Sequence, residues 1–96
     1  MRKVKAIELG ARMEAFKNAC VSAGLKLTHQ RLEIFRELAK SDDHPDAQRI
    51  YSGVRRRISS ISFDTVYRTL RTFEGKGIIS MVGIWGDRQK FDAKSD

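Results

Sequence analysis

Two arginines and a tyrosine in the stretch TVYRTLR have types and a spacing that suit nucleic-acid recognition. Val66, Leu70 and Phe73 recur at helical spacing around these residues, so a helix would be apolar on one side. It would carry Arg68 and Arg71 on the opposite side and Tyr67 at the margin. An arginine can donate two hydrogen bonds to a guanine edge or grip a phosphate, and a tyrosine ring can pack on a thymine methyl group. Because every amphipathic helix has a polar outer face, a merely solvated surface explains this face equally well.

Short hydroxyl side chains accompany these residues in the same stretch. They add hydrogen-bonding groups and are small enough to let a helix approach base edges. The candidate DNA contacts of this stretch are Ser62, Thr65, Tyr67, Arg68 and Arg71.

Basic residues elsewhere are less specific candidates. Arg55, Arg56 and Arg57 form a run that either favours the negative end of a helix or contacts phosphate, and the run itself does not distinguish the two. Arg88 can reach the DNA backbone or minor groove, but the neighbouring Asp87 reduces the local positive charge.

The charge balance favours a polyanionic partner. Nineteen Lys and Arg against 12 Asp and Glu give a net charge of +7 in 96 residues, the length of one small domain. Cys20 is the only cysteine, which excludes an internal disulfide and fits a reducing cytoplasm. No apolar run approaches the roughly 20 residues needed to span a membrane.

Enzymatic chemistry is the least supported class. The sequence offers no Ser-His-Asp or Cys-His set, since its only two histidines, His29 and His44, lie in separate loops or helix starts. No glycine loop has the spacing that cradles phosphate. We therefore expect a binding protein and not an enzyme.

Four helices are predicted to position these side chains. Apolar residues at helical spacing predict helices over 6–23, 31–40, from Ala47 towards Ile58, and over 62–75. Thr28, Asp46 and Ser62 have side chains suited to the N-caps of the last three helices. The predicted buried stripe of the fourth helix is Phe63, Val66, Leu70 and Phe73.

After Gly77 the pattern changes to that of strands. IISMVGI and RQKF, separated by the turn WGD, predict a two-stranded hairpin. Helices followed by one hairpin give a mainly α fold with a small β-hairpin, the winged helix-turn-helix, in which the hairpin is the wing.

Four blocks, LKLTHQRLEIF, HPDAQRIY, ISFDTVYRTLRTFEGKGII and GDRQKFD, resemble the N-terminal DNA-binding domain of the ferric uptake regulator (Fur) family in their order and gaps. That family comprises bacterial metal- and peroxide-responsive repressors. The resemblance implies that Tyr67 and Arg68 enter the major groove of an AT-rich palindromic operator, with Tyr67 against thymine. It also implies that Lys26 enters an AT-rich minor groove. Arg31, which belongs to the Thr-x-Gln-Arg pattern, is a further candidate DNA-binding residue.

The resemblance also matches His44 and Asp92 to ligands of the family's regulatory metal site. By spacing alone two such residues are too few for a closed site, and the remaining ligands are expected beyond this chain. The resemblance implies Fe²⁺ or Mn²⁺ there and structural Zn²⁺ in the full-length protein, with none held stably by this chain. Asp92 resembles the peroxide-sensing branch, whereas Arg68 resembles the iron-uptake branch.

The family's C-terminal dimerisation domain has no counterpart in residues 1–96, so we expect one DNA-binding domain with the start of a linker at 93–96. The resemblance implies a homodimer at full length and a monomer or weak dimer for this chain. Two alternatives remain open from the residues: a winged helix that binds protein, and a nucleic-acid binder without sequence preference.

Overall fold

The computed structural model describes residues 3–85 and 88–94. Its elements are four helices followed by two strands, which are α1 (Ala6–Ala23), α2 (His29–Ala39), α3 (Ala47–Val54), α4 (Phe63–Gly75), β1 (Ser80–Trp85) and β2 (Arg88–Asp92). The mainly α fold with a small hairpin is confirmed.

The three predicted N-caps are confirmed by their hydrogen bonds. The side chains of Thr28, Asp46 and Ser62 each accept a hydrogen bond from the backbone N–H three residues later, at 3.2, 2.9 and 3.1 Å. Such bonds satisfy backbone donors that a helix start leaves unpaired. Because Thr28 is the cap, α2 begins at His29, two residues before its predicted start.

Three phenylalanine rings join α1, α2 and α4 at the centre of the core. Phe16 stacks on Phe35 with ring centroids 4.1 Å apart, and Phe73 meets Phe16 edge to face at 5.2 Å. Cys20 is buried in this core, and burial raises the pKa of its thiol. The core thereby fixes the orientation of α4, whose buried side consists of Val66, Leu70 and Phe73.

Two apolar positions differ from the prediction. Phe63 is 41% exposed, because it lies on the first turn of α4, where the chain enters the helix from the surface. Ile58 is partly buried but lies outside α3, which ends at Val54 and continues as turns over Arg55 to Arg57.

The hairpin is antiparallel and is anchored to the helices through its second strand. Ser80 pairs with Asp92 and Trp85 with Arg88, with an irregularity between Met81 and Gly83. β1 starts at Ser80 and not at Ile78, because the N–H groups of Ile78 and Ile79 donate to the Phe73 carbonyl of α4. The predicted turn falls partly on residues 86 and 87, which lie outside the described residues.

β2 also contacts the segment before α3. The Phe91 N–H donates to the Pro45 carbonyl at 3.1 Å, and Asp46 forms an isolated bridge with Lys90. α3 packs against both α2 and α4. The arrangement is a winged helix-turn-helix, with α3 and α4 as the helix pair and β1–β2 as the wing. Within the described parts of the chain, none of the helices has the length and apolarity needed to cross a membrane.

Candidate nucleic-acid interface and metal pair

The outer face of α4 carries an exposed ion pair near its N-terminal end. Arg68 Nη2 lies 2.5 Å from Asp64 Oδ2, and the two side chains are 78% and 64% exposed. Their i,i+4 spacing places them on one side of the helix, away from the buried Val66 and Leu70. Arg68 is therefore presented to solvent on a surface that the core holds in place.

The hydroxyls of this face are engaged within the helix. Ser62 Oγ caps α4 and donates to Thr65 Oγ1 at 2.9 Å, while Thr69 Oγ1 donates to the Thr65 carbonyl at 2.7 Å. Ser62 is exposed, and Thr65 is half-buried. Their first role is thus to hold the start of α4 in shape.

The wing meets α4 through one side chain that the sequence did not indicate. Gln89 Oε1 on β2 accepts a hydrogen bond from the Tyr67 hydroxyl at 3.3 Å and a weaker one from Arg71 Nη1 at 3.5 Å. Arg71 also lies 3.6 Å from Glu74. Gln89 is 22 residues from Tyr67 in sequence, so no local pattern could have linked them. Two of the predicted DNA contacts are oriented by the wing.

An aromatic cluster continues from Tyr67 towards α3. Phe63 stacks on Tyr67 at 6.3 Å and meets Tyr51 edge to face at 5.8 Å. Arg55 lies over the Tyr51 ring at 5.4 Å. The cluster fixes the plane of the Tyr67 ring and leaves part of Phe63 exposed beside it.

Arg31 and Lys26 form a second group, before and at the start of α2. Arg31 Nη1 donates to the Lys26 carbonyl at 2.6 Å, so the guanidinium of Arg31 holds the backbone that carries the exposed Lys26 side chain. Arg88 pairs with Trp85 through the backbone of the wing, and its side chain lies outside what the structure describes.

The arginine run after α3 has a structural partner that neither sequence interpretation included. Arg57 forms ion pairs with Glu33 and Glu37 of α2, the second at 3.0 Å. Burial opposes ionisation of the Glu33 carboxyl, but the hydrogen bonds and charges of Arg57 and Arg36 outweigh it and hold the pKa of Glu33 below its ordinary value. Arg57 therefore ties the turn after α3 to α2.

His44 and Asp92, which the resemblance matches to metal ligands, lie side by side in the structure. His44 Nε2 lies 3.1 Å from Asp92 Oδ2, and the backbone of His44 is left-handed, with φ of 53°. Asp92 Oδ1 accepts the Lys94 N–H at 2.9 Å. Residues 3–85 and 88–94 contain no group of three or more His, Cys, Asp and Glu side chains arranged to hold a metal. The pair fits two ligands of an incomplete site.

Comparison with known proteins identifies the relatives of this fold. The model of the ferric uptake regulator family matches residues 22–96. A ferric uptake regulation protein of Rhizobium leguminosarum bv. viciae is 34% identical over 79 residues, which are 82% of this chain and 56% of that protein.

A peroxide-responsive repressor of Staphylococcus epidermidis is 36% identical over 70 residues, covering 73% of this chain and 47% of that protein. The solved structure of a zinc-bound manganese uptake regulator superposes with a TM-score of 0.76 at 32% identity, covering 85% of this chain and 62% of that one. The chain thus spans about half the length of the curated relatives it matches.

Proposed function

Because the chain belongs to the ferric uptake regulator family, we propose that it is the DNA-reading domain of a metal- or peroxide-responsive transcriptional repressor. Helix α4 enters the major groove of an AT-rich palindromic operator, and each copy of the domain reads one half-site. The observation that carries the proposal is the outer face of α4, where Arg68 is exposed on a helix whose other side is locked into the core.

Different side chains of α4 contact different parts of the DNA. Arg68 donates hydrogen bonds to base edges, and the Tyr67 ring packs on thymine methyl groups. Arg71 contacts phosphate, and Ser62 and Thr65 allow close approach of the helix start. For Tyr67 this division is supported by the bond of its hydroxyl to Gln89, which leaves the ring as the part able to meet DNA. For Arg68 it is supported by the 78% exposure of the side chain.

Two groups of basic residues outside α4 extend the contact with DNA. They are Lys26 with Arg31, and Arg88 of the wing. Lys26 enters the minor groove, where a narrow AT-rich groove concentrates negative potential, and Arg31 supports it from α2. Arg88 of the wing contacts the backbone. The fixed Lys26 carbonyl supports the first assignment, because a held backbone lowers the entropy cost of placing the lysine.

Metal control requires the rest of the family's architecture. His44 and Asp92 supply two ligands to a regulatory Fe²⁺ or Mn²⁺, and further ligands come from outside the described residues. Structural zinc belongs to a dimerisation domain that follows this one in the full-length protein. A metal bound at His44 and Asp92 would contact β2 itself, because Asp92 is the last residue of that strand. Gln89 of the same strand accepts the hydrogen bond from Tyr67 on α4.

Fluorescence anisotropy tests the proposal directly. The chain is titrated onto an AT-rich inverted-repeat duplex and onto a scrambled duplex of the same composition, over a range of salt and with a chelator present. We expect weak but sequence-dependent binding to the inverted repeat. Equal binding to both duplexes with a steep salt dependence would indicate phosphate binding without readout. Failure to bind either duplex at low salt would favour a protein-binding winged helix.

A further inference from the structure

The acidic member of the α4 ion pair lies where a DNA-binding helix meets its target. Asp64 is the second residue of α4, and Arg68 follows one turn later. In helix-turn-helix complexes the N-terminal residues of the recognition helix contact the base edges. The 2.5 Å contact between Asp64 and Arg68 is therefore placed at the reading end of the helix, with both side chains mostly exposed.

A carboxylate at the reading end of the helix limits which groups of the DNA can lie next to it. Ionised Asp64 only accepts hydrogen bonds, and the phosphates of a duplex repel it. The donors that the major groove offers are the amino groups of cytosine and adenine, and the established partner of Asp and Glu there is cytosine N4. Of the possible neighbours in the groove, a cytosine amino group satisfies Asp64 best.

The arginine of the pair keeps donors for a second base. A guanidinium has five N–H groups in a rigid fork, and the contact with Asp64 uses one of its terminal nitrogens. The remaining donors match the O6 and N7 acceptors of guanine. A G·C pair presents these acceptors beside the cytosine donor, so its pattern complements that of Arg68 beside Asp64.

We propose that Asp64 and Arg68 act as one reading unit that selects a G·C base pair within each otherwise AT-rich half-site. The inference rests on the proposed function and names a sequence feature of the operator. Asp64 is then a specificity-determining residue with two effects. It accepts from cytosine, and its charge weakens the attraction of Arg68 to phosphates of the wrong sequence.

Selection from a duplex pool with a randomised half-site tests this proposal. The wild-type chain is compared with Asp64→Ala and Asp64→Asn. Glu74→Ala is the matched control, because Glu74 is also an acid paired with an arginine on α4, at 3.6 Å from Arg71 near the other end. Circular dichroism melting verifies that each variant is folded.

The wild type is expected to enrich G·C at one position by about tenfold over A·T. Asp64→Ala loses this preference, keeps those at other positions, and binds random duplex more tightly with a salt slope steeper by about one. Asp64→Asn shifts the preference towards A·T, because a side-chain amide pairs with adenine N6 and N7. Glu74→Ala keeps the wild-type preference.

Two results would overturn the inference alone. One is a wild type that has base preferences but none for G·C, and the other is an Asp64→Ala variant that retains the G·C preference as Glu74→Ala does. Either would leave the ion pair as a support of the helix only. A wild type without any base preference would instead refute the proposed function.

Discussion

Arg68 is the single side chain on which base readout depends most under the proposed function. Arg68→Ala removes the exposed guanidinium and is expected to weaken binding to the AT-rich palindrome by roughly 1 to 3 kcal/mol, as for a lost base-directed contact. Fluorescence anisotropy measures the change. Lys17→Ala serves as the charge control, because Lys17 is the cation of another exposed helical ion pair, with Glu14. Equal affinity of Arg68→Ala and wild type would remove Arg68 from the readout.

Two variants of Tyr67 distinguish the role of its ring from the role of its hydroxyl. Tyr67→Phe loses the hydrogen bond to Gln89 and is expected to lower the free energy of unfolding by about 0.5 to 1.5 kcal/mol. DNA affinity should stay near that of the wild type, whereas Tyr67→Ala, which also removes the ring, should bind clearly more weakly. Urea unfolding and anisotropy give the two quantities. A phenylalanine variant as weak as the alanine variant would show that the hydroxyl itself meets the DNA.

The contact between α2 and the turn after α3 makes the stability of the domain depend on pH. The pKa of Glu33 is lowered in the folded state, so the stabilisation by its ionised form is present above the ordinary carboxyl pKa. It is lost as the pH falls through the folded-state value. We expect the free energy of unfolding to decrease below a pH of about 4.3, the ordinary value for glutamate.

Glu33→Gln tests the origin of this dependence. The variant should be less stable at pH 7 by about 1.5 to 3 kcal/mol, the size of a lost charge-assisted hydrogen bond, and should lose less stability on acidification. Urea unfolding at several pH values measures both. Glu14→Gln is the control, because Glu14 forms an exposed pair only. Identical acid profiles for wild type and Glu33→Gln would assign the dependence to other carboxylates, such as Asp43, whose pKa is also lowered.

Most of the element pattern follows from local sequence, because caps and stripes are local. Thr28, Asp46 and Ser62 each act within three residues of themselves, and all three caps are confirmed. Phe63 shows what a periodic pattern cannot predict. It lies on the apolar side of α4 as expected, but the first turn of the helix is at the surface, so the side chain is exposed. Periodicity gives the side of a helix and not the depth at which each turn lies.

Contacts between distant residues were not predictable in this way. Arg57 and Glu33 are 24 residues apart, and nothing in their neighbours indicates that a surface arginine pairs with a buried acid. Gln89 likewise carries no local signal for its bond to Tyr67. The pair of His44 and Asp92 was anticipated only through the family resemblance. The resemblance supplied long-range information that composition and spacing lack.

At the scale of the molecule, one domain presents one reading helix and hence contacts one half-site. Joining two copies through a flexible linker to a parallel coiled coil should raise affinity for the inverted repeat by about 10² to 10⁴, because the second contact becomes intramolecular. Affinity for a duplex with one half-site should not change to the same extent. Anisotropy on the two duplexes checks this. A gain that is equal on both would indicate charge attraction and not paired readout.

The position of Gln89 provides the domain with an internal reporter. Its amide oxygen accepts from Tyr67 and Arg71 at once, and both donors lie on the helix proposed to enter DNA. When Arg71 turns towards a phosphate, one acceptor bond is released, while the Tyr67 bond keeps the side chain in place. The side-chain amide resonances of Gln89 in a ¹⁵N spectrum should therefore shift on DNA binding. They should not move to the positions typical of a freely rotating glutamine side chain. A spectroscopist can follow occupancy of the reading helix from the wing, without attaching a label to the surface that touches the DNA.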